Sequence, residues 1–369
     1  MAVEKQPHNG QITSTDSLLL SRQECNLMRG LAILLIITDN FTHLFNGVFL
    51  DNEFNFMWSS VEGVLNNLSH PDKLLPYNLL AFYCPYGVML FTFISGYCLT
   101  LKYEKGDGQG TSCKDFIVRH YNKLFSMQFK GLTIFLIVLL LFNHHIIVEY
   151  PILLQAFLLG NLHPNAIIIP TPYWFFGMIM EMYVIYRLII YRRRDGIAIA
   201  LTVLSLMVMA FTDPEGDLLR NLRYNCFIAI LPFCMGVLAA RHLNHKSLKI
   251  DKTAACLGWF VLSFILLTLS KFNFYSWLVM PVFVVTSALA IVKLIAKVRL
   301  FDNIFGWLGA LSGVLFVVHP TVRMLLIPRA NESGAFAITL LAYLFITFGL
   351  SIMLKPLFTH KQQKNCKPT

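Results

Sequence analysis

Charge is what this chain has least of. Only 14% of its 369 residues are Asp, Glu, Lys or Arg, where soluble domains carry roughly 25%. That scarcity leaves no stretch that reads as a soluble domain. Other absences narrow the reading further. There is no C-x-x-C pair among the eight cysteines, so no zinc or dithiol motif is present. The cysteines, mostly in or beside apolar runs, read as small buried hydrophobes. No internal repeat, heptad array or low-complexity tract occurs. The Gly-rich stretch EKGDGQGTSCKD (104–115) has no Walker or dinucleotide pattern around it and reads as a flexible loop. The first twenty residues, MAVEKQPHNGQITSTDSLLL, lack the basic start and short apolar core of a cleaved signal. The first membrane helix is therefore expected to act as the insertion signal.

What the chain has instead is hydrophobic length. It is 56% apolar with a mean hydropathy of +0.61. Apolar runs of about 18 residues or more recur throughout, each the length of a membrane crossing. The expectation is an all-α, polytopic membrane helix bundle with ten spans, near 26–45, 77–101, 130–148, 172–191, 196–212, 223–240, 253–270, 275–292, 305–327 and 335–354. Residues 1–25 and 358–369 are read as tails and 26–357 as the membrane domain. The segment 151–162 (PILLQAFLLGNL) is apolar but short, and reads as an interfacial or re-entrant piece.

Cytoplasmic loops collect Lys and Arg. With the N-terminus inside, the segments on the other side keep only Lys73, Arg220, Arg223, Lys271, Arg323 and Arg329. The remaining basic residues fall in inner segments or, for Arg29 and Lys130, at inner helix ends. Both termini are thus expected in the cytoplasm. The net charge of +10 is explained by topology, without a nucleic-acid partner. YRRRD (191–195) reads as a stop-transfer anchor.

Against this apolar background a few polar residues stand out. An ionisable group at a helix centre costs about 2.5–3.5 kcal/mol on insertion scales. Asp39 and Glu181 are the two acids inside the expected spans, and His43 and His319 are the histidines to consider. At about 1.5 Å per residue, Asp39 sits roughly 18–20 Å above the inner edge, His43 about 6 Å further, His319 at roughly 20 Å and Glu181 about 13 Å below the outer edge. One layer of four groups from three helices is expected. Arg29, Asn40 and His43 share a helix face, and Asp39 lies one turn below His43, within hydrogen-bonding reach.

These residues carry a family resemblance. RGLAILLIITDNFTH (29–43), MLFTFISGYCLTLKY (89–103), FIVRHYNKLFSM (116–127), TPYWFFGMIMEMYVIY (171–186) and LGALSGVLFVVHPTV (308–322) resemble, in order, five segments of the acyltransferase 3 family of integral-membrane acyltransferases. Where that family shows Arg, ten residues and then His, this chain has Asn40, with Asp39 before it and His43 a turn later. Phe316 stands where the late motif often has Tyr. The resemblance implies transfer of an acyl group, usually acetyl from acetyl-CoA as co-substrate with no bound cofactor or metal. The acceptor would be a hydroxyl on a cell-surface or lipid-linked glycan or similar molecule, outside a bacterial cytoplasmic membrane.

Such chemistry wants a base of near-neutral pKa, which imidazole supplies, and a carboxylate to orient it. His43 is expected as the base with Asp39 beside it, or Asp39 in its place. An oxyanion donor is needed, from Asn40, Ser95 or Tyr97. Arg29, Arg119 and Lys123 are expected to meet the phosphates of acyl-CoA. Glu181, His319, Trp174, Tyr183 and Ser95 are expected around the site or on its acceptor side. The outer loop 46–76, with Asp51, Glu53, Phe54, Phe56 and Trp58, is the segment placed to face a sugar. Two other readings fit buried acids and histidines: a transporter or flippase using a proton relay, and a non-catalytic member of the same fold.

Overall fold

The computed structural model describes residues 18–49, 51–142, 150–162, 170–243 and 252–358. Residues 1–17 and 359–369 of the expected tails lie outside it, as do 143–148 of the third expected span and Lys246 and Lys249 of one inner segment. The described residues are mostly helical, with no strand among them. Its helices are α1 (Arg22–Thr42), α2 (Trp58–Ser69), α3 (Leu75–Tyr83), α4 (Gly87–Thr100), α5 (Cys113–Leu141), α6 (Tyr150–Ala156), α7 (Trp174–Ile185), α8 (Asp195–Ala210), α9 (Asp217–Tyr224), α10 (Phe227–His242), α11 (Thr253–Ser270), α12 (Phe274–Ile295), α13 (Arg299–Ser333) and α14 (Phe336–Phe358).

Seven described helices are long and apolar enough to cross a membrane, or eight if α9 and α10, which meet at 42°, form one bent span. That is fewer than the ten expected. The difference lies in α1, whose 21 residues are diluted by Arg29, Asp39 and Asn40, and in α8, which is only 16 residues long. The segment near 151–162 forms the seven-residue α6 and one further turn at Gly160–Leu162, too short to span.

α1 begins at a capping box. Ser21 accepts from the Glu24 N–H at 3.1 Å while Glu24 accepts from the Ser21 N–H at 2.8 Å, which satisfies two of the helix's free donors. Glu24 also pairs with Lys293 of α12 at 2.6 Å. α1 then packs against α13 and α4. A Cβ at Gly30 would overlap the Phe305 carbonyl, and one at Gly309 would overlap the Asn26 carbonyl. Small residues at this seam let the two backbones touch, which in lipid replaces the hydrophobic drive that water supplies elsewhere.

Burial separates an inner set of helices from an outer one. The most apolar window of the α3–α4 span is 72% buried, whereas those of α5, α11 and α14 are 28%, 22% and 17% buried. The outer helices show Leu140, Leu262, Ile338 and Phe345 to their surroundings, as lipid-facing helices do. The inner set includes α1, α4, α7 and α13, which carry Arg29, Asp39, Asn40, Ser95, Trp174, Glu181, His319 and Arg323, with His43 at the C-terminal cap of α1. The stretch 104–115 is less free than its glycines imply. Glu104 accepts from Arg241 at 2.9 and 2.8 Å and from the Tyr186 hydroxyl at 3.2 Å, and Arg241 also holds Asp195 at 2.9 Å.

Candidate active site

A cavity of about 560 Å³ opens at the C-terminal end of α1. Its lining includes Ile36, Asp39, Asn40 and His43 from α1, Thr171 and Trp174 at the start of α7, and Phe316 and Arg323 from α13. The loop after α1 adds Asp51, Glu53 and Phe54, and Arg220 and Tyr224 come from α9.

The Asp39 carbonyl in the last turn of α1 accepts from the His43 backbone N–H at 3.2 Å and also meets the His43 ring. The ring Nδ1 lies 2.7 Å from the Asp39 carbonyl, while the Asp39 carboxylate is 3.8 Å away. The expected carboxylate–imidazole hydrogen bond is therefore replaced by a backbone one, with the carboxylate held at ion-pair distance. An Nδ1–H donating to a carbonyl leaves the lone pair on Nε2. Asp39 is 6% exposed, and its Oδ1 has no hydrogen-bond partner. A buried carboxylate oxygen left unsatisfied costs stability and is poised to accept from a ligand.

Asn40 is largely spoken for. Its Nδ2 donates to the Ile36 carbonyl at 2.9 Å and its Oδ1 accepts from Arg323 at 2.9 Å. Arg323, which also lines the cavity, bonds Thr171 at 2.7 Å as well. Arg323 was legible only as an outer charge. The overlooked signal is a cation one turn after His319-Pro320 on a membrane helix.

The loop Asp51–Asn55 is held rigidly. Asp51 forms a buried ion pair with Lys271. Arg223 donates to the Glu53 carbonyl at 2.6 Å while stacking over Trp277 at 4.2 Å. Asn52 Oδ1 accepts from the N–H groups of Phe54 and Asn55, each at 2.8 Å. The side chains of Glu53 and Phe54 are thereby fixed in the cavity wall. Phe54 stacks on Tyr224 at 4.0 Å and meets Trp174 edge-on at 5.1 Å. Burial, then the Asp39 charge, push the Glu53 carboxyl up to about 8. Phe56 packs instead against Trp277, and Trp58 is exposed and bonds Glu62.

The expected single layer of ionisable groups divides. Asp39 and His43 share the cavity. Glu181 does not, because Asn161 donates to one of its oxygens and the Cys226 N–H to the other at 2.8 Å. It caps the break between α9 and α10 and borders a separate apolar groove. His319 is fully buried behind Phe316, with Nδ1 at 3.2 Å from the Leu315 carbonyl and Nε2 unpartnered.

Arg29 is likewise apart, fourteen residues or roughly 21 Å along α1 from His43. It contacts Asn26 Oδ1 at 3.4 Å and Cys98 Sγ at 3.6 Å. Lys123 lies within electrostatic reach of Arg29 and Lys102, as Tyr183 does of the same arginine, and the Ser95 hydroxyl donates to the Phe91 carbonyl at 2.8 Å. Arg119 is exposed on α5. Tyr97 bonds the backbone of Leu20 and takes no part in either cluster. Among the described residues no group of three or more His, Cys, Asp and Glu is placed to hold a metal ion.

The acyltransferase 3 family model, described as an acyltransferase domain, matches residues 22–355. The chain belongs to the acyltransferase 3 family. No curated protein and no solved structure matches it. Membership makes this multi-pass helical protein a membrane acyltransferase.

Proposed function

We propose that this acyltransferase moves an acyl group, acetyl in the simplest case, from cytoplasmic acyl-CoA to a hydroxyl of an extracytoplasmic acceptor such as a glycan. The observation that carries this is the pairing, in one cavity, of an imidazole whose Nε2 is free with an unsatisfied carboxylate and a guanidinium. The Lys/Arg bias of the loops favours the cavity on the outer side and Arg29 on the cytoplasmic side.

His43 Nε2 takes the proton as the acceptor oxygen attacks the thioester carbonyl. The oxygen–carbon bond forms and the carbon–sulfur bond breaks. The departing thiolate of CoA receives the proton from His43. Asp39, at 3.8 Å, stabilises the transient imidazolium, and Arg323 stabilises the oxyanion. Arg29, Lys102, Lys123 and Arg119 supply positive charge for the phosphates of the donor. Phe54, Trp174 and Tyr224 offer apolar ring surface for the acceptor beside the polar groups of Asp39 and Glu53.

The test is His43→Ala with labelled acetyl-CoA in membranes. Transfer should fall about 10²–10⁴-fold, the usual worth of a positioned base. Transfer within a few-fold of the unaltered protein removes His43 from the mechanism.

A further inference from the structure

Along α4, from Gly87 to Thr100, all side chains are buried except Phe91, Ser95 and Cys98, which keep partial exposure. They stand at i, i+4 and i+7, one stripe of the helix. α4 packs against α1, α10 and α12, so the partial exposure of this stripe marks a fissure left between helices. Arg29 contacts Cys98 across this fissure at 3.6 Å, and Ser95 turns its hydroxyl to the Phe91 carbonyl of its own helix. Arg29 is itself half-buried. The fissure thus starts at the basic cluster and runs up α4.

It stops at rings. Phe91 contacts Phe175 of α7, with centroids 6.1 Å apart, and Phe175 contacts Phe316 of α13 at 5.2 Å. Phe316 lines the large cavity on the other side. Three phenyl groups from three helices therefore lie between the Arg29–Cys98–Ser95 fissure and the Asp39–His43 cavity. No charged or hydroxyl side chain takes part in these ring contacts. Phenyl contacts are individually weak, about 0.5–1.5 kcal/mol beyond their buried area, so such a partition can be displaced by a group inserting from below.

We propose that Phe91, Phe175 and Phe316 form the partition between the donor fissure and the acceptor cavity, and that they set the length of acyl group the protein transfers. The partition rests on geometry alone. The acyl-length statement rests on the transferase reading given above. With the rings in place only a short acyl group passes to the level of His43. Removing a ring opens apolar space for a longer one, and apolar pockets discriminate each methylene by about ten-fold or more.

The experiment has two arms on Phe91→Ala, Phe175→Ala and Phe316→Ala, with the corresponding Leu variants should an Ala variant fail to fold. In the first, a membrane-impermeant cationic methanethiosulfonate is applied from the cavity side of oriented vesicles. Labelling of Cys98 is then read by peptide mass spectrometry. The unaltered protein should resist labelling from that side, and the variants should label about ten-fold faster. Labelling of the unaltered protein at the rate of the variants overturns the partition. In the second, acetyl-CoA and hexanoyl-CoA compete as donors. The hexanoyl-to-acetyl transfer ratio should rise about ten-fold in folded variants. An unchanged ratio alongside increased labelling keeps the partition and overturns its role in acyl length. If the unaltered protein transfers neither group, the transferase reading fails, and the labelling arm still decides the partition.

Discussion

Two carboxylates sit among the membrane helices, and their surroundings are opposite. Glu181, where α7 meets the break before α10, has both oxygens engaged, one by Asn161 and one by the Cys226 N–H. Asp39, at the end of α1, is more buried and lines a cavity, yet its Oδ1 has no hydrogen-bond partner. The first arrangement is what a stable fold asks of a buried acid. The second leaves free energy unrealised until a ligand arrives, which is how sites for chemistry differ from joints in a scaffold.

The same carboxylate-to-amide change should therefore act differently at the two places. Asp39→Asn should lower transfer from labelled acetyl-CoA about 10²-fold or more. It should leave thermal stability in detergent equal or slightly raised, because an unsatisfied buried charge is relieved. Lost stability with retained transfer would reverse the assignment of roles. Glu181→Gln turns an amide donor toward groups that already donate. It should cost about 1–2 kcal/mol of stability while transfer per folded molecule stays within two-fold. A large loss of transfer at unchanged stability would make Glu181 part of the chemistry.

The smallest effect concerns Glu53, the acid across the cavity from Asp39. Its carboxyl titrates near 8 in the folded chain against 4.5 when free, so the native state holds the extra proton between those values. Stability must then fall as pH rises from about 4.5 to about 8. Glu53→Gln should remove that contribution, giving a flatter dependence of melting temperature on pH across this window. An unaltered slope would show that Glu53 is ionised throughout.

Much of the architecture was legible because lipid is an undemanding reader. Long apolar runs must be helices, since no other open structure satisfies its backbone there, and seven of the expected spans meet helices long and apolar enough to cross. The cost of charge in lipid likewise singled out Asp39, His43, Glu181 and His319. What could not be read was which of them meet. Estimated depth put all four in one layer, but a layer has a circumference. Glu181 turned out to answer the α9–α10 break, a bend with no mark in the hydropathy. Arg323 and Arg223 were counted as topology, although one enters the cavity and the other clamps the loop beneath it.

The amino-acid order by itself determined a helical membrane protein, its family and the first helix as the carrier of both Arg29 and the Asp39–His43 pair. Those follow from local quantities: apolar length, the penalty for buried charge and residue spacing along one helix. Only the tertiary structure decided that Asp39 keeps an unpaired oxygen while Glu181 does not, that Lys271 and Arg223 fix Glu53 opposite Asp39, and that three phenyl rings stand between the two ends of the path. Each of these depends on contacts between helices far apart in sequence, whose rotation and tilt are set by how small and large side chains interlock.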